Sequence, residues 1–472
     1  MELLTAAESE RQQRRVAGSL LARGLRPGDR VAVCTSSSAA MLSAILGALR
    51  VGIVPVVLNS SLLPHERAAL IEDADPQLIV DDRVLTSLLD GPEAELAPYP
   101  LARPMHYTSG TTGRPKGVWS GVLTEEQAQQ LFEEERELWQ FDRSDRHLVC
   151  SPFHHSVAIR FGSGTLLSGG ELIVLGRFDA LAAARAIDRY RPTTTFMVPA
   201  HLQRLFASEA SPDLSCFRLL AHAGAPCPES LKLAAIEAFG VDTVWEFYGS
   251  TEGQFTACPS SEWLERRGTV GRARPGRRLT VDADGLIWCE VPPYARWEYW
   301  RDPARTAQAW RDRAFTVGDL GRLDADGYLY LDGRRDDLII TGGVNVYPAE
   351  VEQVLARAPG VDQIAVFGVT DERWGQRVCA AVVGDVDPAE LARVARIELA
   401  PYKRPKDIFV VEEIPHTSTG KVQRSRLGAV LGLEPDTSAD RDRSVSRVVE
   451  EEAWSGSLGE PSPRSDRGSG PS

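Results

Sequence analysis

Tyr107-Thr108-Ser109-Gly110-Thr111-Thr112-Gly113-Arg114-Pro115-Lys116-Gly117 packs three glycines, four aliphatic hydroxyls and two cations into eleven residues. Glycine lets backbone amides approach an oxyanion closely, because no Cβ intervenes. Successive amides and hydroxyls then form a concave anion nest, to which Arg114 and Lys116 add positive charge. Pro115 stiffens the turn without offering a donor. Such a loop suits the phosphates of a nucleotide, and an ordinary polar surface loop is the competing reading of this stretch alone. A Walker A loop is excluded, since Pro115 stands where its second glycine belongs. Phe161-Gly162-Ser163-Gly164 lacks the third glycine of a dinucleotide fingerprint, with Leu167 in its place.

Around the loop, the chain alternates short apolar strands with amphipathic helices. Val31-Ala32-Val33-Cys34, Ile53 to Leu58, Leu78-Ile79-Val80, His147 to Cys150, Leu172 to Leu175, Thr194 to Val198 and Phe217 to Leu220 read as strands. Helical patterns lie between them, beginning with Arg11 to Leu25. That order implies an α/β fold with a parallel sheet covered by helices. Thr124 to Trp139 reads as a helix whose acidic face is solvated. Asp81 to Arg103 turns polar and reads as a surface connection remote from any chemistry.

A length of 472 residues suits two to three domains. The net charge of -13 speaks against non-specific nucleic-acid binding while leaving room for a local basic pocket. Seven cysteines are scattered singly, which fits neither a zinc site nor a disulfide framework and points to a reducing cytoplasm. The apolar run Met41 to Leu58 is broken by Arg50, Gly52 and Pro55, so it reads as a buried helix and strand rather than a membrane span.

Further chemistry-bearing stretches follow in order. Ser151-Pro152-Phe153-His154-His155 ends a strand, Ala223-Gly224-Ala225-Pro226 is a turn, and Val244 to Gly253 delivers Tyr248-Gly249-Ser250-Thr251-Glu252 to a strand end. Ligands bind at such carboxyl ends in open α/β sheets. Thr316-Val317-Gly318-Asp319, Gly333-Arg334-Arg335-Asp336, Ile340-Thr341-Gly342-Gly343 and Ser418-Thr419-Gly420-Lys421 complete the series. Each alone has a bland reading as a turn, a strand end or surface decoration. Seven in this order are hard to assign to accident.

The series closely resembles the adenylate-forming enzymes, and in particular the AMP-forming carboxylate–CoA ligases. The resemblance implies a large N-terminal domain (1–335) of stacked mixed α/β sheets with a small β-barrel-like subdomain. A mobile α+β domain (336–433) follows, hinged at Asp336, and residues 434–472 are expected to form a disordered tail. It implies ATP, Mg²⁺ and coenzyme A as cofactors and co-substrates. Thr108, Ser109, Gly110, Thr111, Thr112, Gly113 and Lys116 would wrap phosphates. Gly224, Ala225, Pro226, Tyr248 and Gly249 would flank the adenine, Asp319 and Arg334 the ribose, and Gly342 and Gly343 the thiol arm. Glu252 and Thr108 would hold Mg²⁺; His154, Thr251, Glu252 and Lys421 would be catalytic. The reaction implied is formation of an acyl-adenylate, then of an acyl-CoA.

A carrier-protein-loading adenylation enzyme and a nucleotide-binding relative lacking one half-reaction are the alternatives. Ser156-Val157-Ala158-Ile159 offers no carboxylate for an ammonium group, so the expected acid is fatty, aryl or polycyclic rather than an amino acid. Arg160 either faces solvent or meets a polar substrate group; Gly162, Ser163 and Gly164 leave room for bulk.

Overall fold

The computed structural model describes the chain except residues 109–115, 335–336, 342–343, 372–373, 417–421, 434–445 and 450–472. At 334, 345 and 446–449 it describes the backbone alone. The chain divides into two units, one built on Met1–Asp336 and the other on Asp337–Pro415 with the helix that follows it.

The first unit is organised by an eight-stranded sheet. Its spatial order is Glu2–Thr5, Glu171–Val174, Arg146–Val149, Thr194–Met197, Leu219–His222, Val244–Glu246, Thr256–Pro259 and Arg272–Ala273. The five strands from Glu171–Val174 to Val244–Glu246 run parallel. Their residues are almost all buried, as a sheet covered on both faces requires. A second, three-stranded parallel sheet sets Arg30–Val33 between Val54–Val57 and Leu78–Val80. Between the sheets lies Ala39–Leu49, capped by the Ser38 hydroxyl and buried almost throughout. Met41, Leu42, Ile45 and Leu46 are each at most 1% exposed, and each contributes roughly 1.5–3 kcal/mol by leaving water. Among the described residues no helix is long and apolar enough to cross a membrane.

The smaller antiparallel pieces carry the site. Glu298–Tyr299, Lys116–Trp119 and His106–Thr108 form one sheet in that order, and Arg278–Val281, Ile287–Glu290, Ala314–Phe315 and Trp310–Arg311 form another. Trp297, Phe315 and Phe255 fill the core they share. In the second unit, Val361–Asp371 and Gly375–Gly384 form a long hairpin, with Asp407–Val410 parallel to its second strand. Glu352 anchors the last helix there, accepting two hydrogen bonds from Arg424 Nη2 at 2.7 and 2.8 Å.

Several expectations change. The first helix begins at Ala6, not Arg11, because the Thr5 hydroxyl caps it. Asp82–Leu89 is a helix within the stretch read as connection, capped by Asp81. In the expected tail, Ser446–Val449 adds an antiparallel strand beside Asp407–Val410, so that segment is not without structure.

Candidate active site

The phosphate-loop stretch joins two paired strands: Thr108 lies opposite Lys116 in the hairpin His106–Thr108/Lys116–Trp119. Ser109, Gly110, Thr111, Thr112 and Gly113 lie outside the described residues. Tyr107 Oη donates to Asp73 Oδ2 at 2.6 Å, which fixes the entry to the loop. On its outer side the hairpin pairs with Glu298–Tyr299, Tyr299 facing Val118 in register.

After Val244–Glu246 the chain makes a tight reversal. The Ser250 amide donates to the Gly253 carbonyl at 2.8 Å, and the Phe255 amide to the Tyr248 carbonyl at 2.9 Å. Glycine is required at 249, since a Cβ there would sit 2.8 Å from both the Gln254 Cα and the Gly253 oxygen. Thr251 and Glu252 therefore stand at the tip of a rigid turn. Glu252 is buried, and its Oε1 accepts a hydrogen bond from Tyr299 Oη at 3.0 Å. The Lys116 ammonium lies 5.1 Å from the centre of the same Tyr299 ring, within cation–π range. One tyrosine thus ties the phosphate-loop hairpin to the acidic turn.

Among the described residues no three His, Cys, Asp or Glu side chains gather closely enough to hold a metal alone. A Mg²⁺ that bridges phosphates needs only one or two carboxylates, the substrate supplying the rest. Glu252, buried and oriented by Tyr299, fits that demand, with Thr108 at the end of the neighbouring strand.

Tyr248 and Asp319 also come together. Tyr248 Oη donates to Asp319 Oδ2 at 2.5 Å, both side chains being buried. Asp319 faces Arg334 in register across the paired strands Asp319–Leu323 and Leu329–Arg334; the Arg334 side chain lies outside the described part. Gly224 follows Leu219–His222 with φ of 92°, a backbone that favours glycine. Pro226 beside it is exposed and Ala225 half-buried. His154 precedes the helix Ser156–Leu167, its ring 4.3 Å from that of His155. Burial holds both imidazoles down at about 4, neutral at physiological pH. Phe153 is fully buried. Gly342, Gly343, Asp336 and Lys421 lie outside the described residues.

A cavity of about 170 Å³ opens onto the Thr251–Gln254 turn and runs between the helices Glu125–Trp139 and Ser156–Leu167. Leu131, Phe132, Ile159, Leu167 and Phe315 give it apolar walls. Arg160 lines it rather than facing solvent, and its Nη1 donates to Gln254 Oε1 at 2.8 Å. The acidic helix is solvated as expected at Glu125, Glu126 and Glu137, but not at Glu134 and Glu135. Glu134 pairs with Arg277 at 2.7 Å and Glu135 with Arg274 at 2.8 Å, all four side chains largely buried. Burial raises the Glu135 carboxyl, but Arg274, Arg160 and Arg277 outweigh it and hold it down at about 2. The stretch read as remote from the chemistry also reaches the cavity, through Pro100, Ala102, Arg103 and Pro104.

Sequence reasoning missed Tyr299 and Arg103. The sequence signals were the aromatic cluster Tyr294 to Trp300 for the first and an arginine just ahead of the loop for the second.

Residues 2–99 and 103–288 match the AMP-binding enzyme family, and residues 350–421 match the AMP-binding enzyme C-terminal domain. The chain is 34% identical over 473 residues to a feruloyl-CoA synthase of an Amycolatopsis species, covering 91% of this chain and 94% of that one. It is 31% identical to an indoleacetate–CoA ligase of Aromatoleum aromaticum, covering 87% and 90%. Among solved structures, ATP-bound MatB from Rhodopseudomonas palustris is similar with a TM-score of 0.79 and 30% identity, covering 89% of this chain and 92% of that one. The o-succinylbenzoate CoA synthetase MenE of Bacillus subtilis, in complex with its acyl-adenylate, is similar with a TM-score of 0.78 and 27% identity, over the same shares. Matched in both of its parts, and related over nearly its whole length, the chain belongs to the AMP-binding enzyme family.

Proposed function

We propose that the protein is an AMP-forming acyl-CoA synthetase acting on a carboxylic acid that is not an amino acid. In the first half-reaction a carboxylate oxygen attacks the α-phosphorus of ATP. The bond to the β-phosphate oxygen breaks, and pyrophosphate leaves with its electron pair. In the second, the thiol of coenzyme A gives its proton to solvent, its sulfur attacks the acyl carbon, the bond to AMP breaks, and an acyl thioester and AMP result.

A carboxylate meets an anionic phosphate only where charge is neutralised, so the work is positioning and electrostatics. Mg²⁺, when bound, offsets the phosphate charge. Glu252 and Thr108 would hold that ion. Lys116 and the loop of 109–113 hold phosphate oxygens, Thr251 the α-phosphate, and Lys421 supplies the remaining cation for the first half-reaction. Tyr248 and Asp319 hold the nucleoside, with Arg334 near the ribose. His154, neutral above pH 5 or so, borders the acid without competing with it for cations. Asp336 is the hinge, and Gly342 and Gly343 the face for the thiol.

The observation that supports this reading most is the linkage of Lys116, Tyr299 and Glu252, which joins the cation flanking the loop to the one buried carboxylate of the turn. Seven free cysteines suit a reducing cytoplasm. Carboxylate-dependent exchange of pyrophosphate into ATP tests the reading, with Glu252→Gln expected to abolish it. Exchange that persists undiminished in this variant would refute Glu252 as the metal ligand. Competition of coenzyme A against an acyl carrier protein for the thioester identifies the acceptor.

A further inference from the structure

Arg424 opens the helix Arg424–Val430 and stands three places after Lys421 in the sequence. Its guanidinium divides its donors among three partners. Nη2 donates to both oxygens of Glu352, at 2.7 and 2.8 Å. Nε donates to the Val366 carbonyl at 3.1 Å, and Nη1 to Asp337 Oδ2 at 3.2 Å. Glu352 Oε1 also accepts from the Val366 amide at 2.7 Å, so the group closes into a knot.

The partners do two different things. Glu352 lies on the helix Pro348–Leu355 and Val366 in the strand Val361–Asp371, and together they seat the last helix on the body of the second unit. Asp337 is where that unit begins, directly after Asp336, and Val422 opens its last part. The arm from Arg424 to Asp337 therefore joins two places at which the chain enters the unit. Seating the helix requires only Glu352 and Val366. Arginine suits the double task, because its planar fork fixes several donors at once where lysine offers a single point charge.

We propose that Arg424 is a positioning residue for the first half-reaction. Through Asp337 it ties the segment carrying Lys421 to the residue after the hinge, so that rotation at Asp336 reaches Lys421 without slack. The role rests on the reading of Lys421 and Asp336 given under the proposed function, and adds the connection between them. Lys421 acts while the acyl-adenylate forms and is withdrawn when the thiol attacks, so a loosened link is felt in the first half-reaction and spared in the second.

The test measures the two half-reactions separately on the full chain. Butyric, octanoic, palmitic, benzoic, phenylacetic, cinnamic and cholic acids are screened by pyrophosphate exchange into ATP, and the best is used together with its synthetic adenylate. Asp337→Ala removes the one arm and leaves Glu352 and Val366 in place. It is expected to lower kcat of exchange by ~10–100-fold, as a displacement of up to about 1 Å does. KM for ATP and thioester formation from the supplied adenylate are expected to stay within about twofold, a change well below one hydrogen bond. Asp337→Asn keeps an acceptor for Nη1 and is expected to retain most of the exchange rate. Arg424→Lys is expected to show the same split as Asp337→Ala, and in that background Asp337→Ala should add little, because the two side chains act as a pair.

Equal loss of both half-reactions, accompanied by a lowered melting temperature, would show a merely structural knot and overturn the inference. So would exchange within about twofold of wild type in Asp337→Ala, or losses in the two variants that simply multiply. Each of these leaves the ligase reading intact. If no acid of the set supports exchange in the unaltered protein, the ligase reading fails and this inference fails with it.

Discussion

Tyr299→Phe removes a single hydroxyl from the middle of the site. The ring stays, and with it the packing on Trp297 at 4.8 Å between ring centres and the contact with Lys116 at 5.1 Å. What disappears is the donor to Glu252 Oε1 at 3.0 Å. A hydrogen bond to a charged group contributes about 1.5–3 kcal/mol, a ~10–150-fold factor. Here it orients a carboxylate proposed to hold Mg²⁺, and groups behind a metal ligand carry a similar ~10–100-fold weight in affinity or activity. Pyrophosphate exchange, titrated with Mg²⁺ at saturating ATP and acid, should show a ~10–100-fold loss in rate at limiting Mg²⁺ with a raised Mg²⁺ requirement. In a Glu252→Gln background the same substitution should cost far less, because the two side chains act as a pair. Activity within a factor of about two of wild type, a change well below one hydrogen bond, would refute the argument that Tyr299 positions Glu252.

Gly249→Ala should fold yet lose at least ~10-fold in activity, because its Cβ meets backbone 2.8 Å away and a displacement near 1 Å is costly in catalysis; steady-state kinetics beside a melting curve checks this. Lys232 is buried against Glu246 at 2.8 Å, with the Trp263 ring 5.0 Å from its ammonium. Lys232→Met should therefore cost about 3–5 kcal/mol by stranding the carboxylate, and adding Glu246→Leu should recover much of the loss in urea unfolding. Burial holds His106 and His147 down at about 3, and His154, His155 and His201 at about 4. Their folded values lie below the ordinary 6.5, so between about pH 6.5 and 4 the unfolded chain binds more protons than the folded one. Stability is then fully present above about pH 6.5 and falls as the pH drops through this window, which urea midpoints across that range would show.

Much of the architecture was legible because it is local. Alternating apolar strands and helices revealed the parallel sheets, and the run Met41 to Leu58 resolved into the helix Ala39–Leu49 and the strand Val54–Val57. Tyr248-Gly249-Ser250-Thr251-Glu252 was readable because glycine, hydroxyl and acid in that order make a turn that presents an acid.

The failures are long-range. Glu134 and Glu135 looked like a solvated helix face because their partners Arg274 and Arg277 come some 140 residues later in the chain. Tyr299 gained its place through strand register with Val118, a pairing no short window contains. Arg103 sits in a polar, proline-containing stretch whose composition says surface, and only the cavity wall reveals its direction.

Product analysis tests the central claim most directly. Incubated with Mg²⁺, ATP, coenzyme A and a carboxylic acid that it accepts, the protein should release AMP and pyrophosphate in equal amounts with one acyl thioester formed for each. Omitting coenzyme A should leave an enzyme-bound acyl-adenylate. Release of ADP and phosphate instead, or AMP formation that does not depend on the acid, would contradict the account.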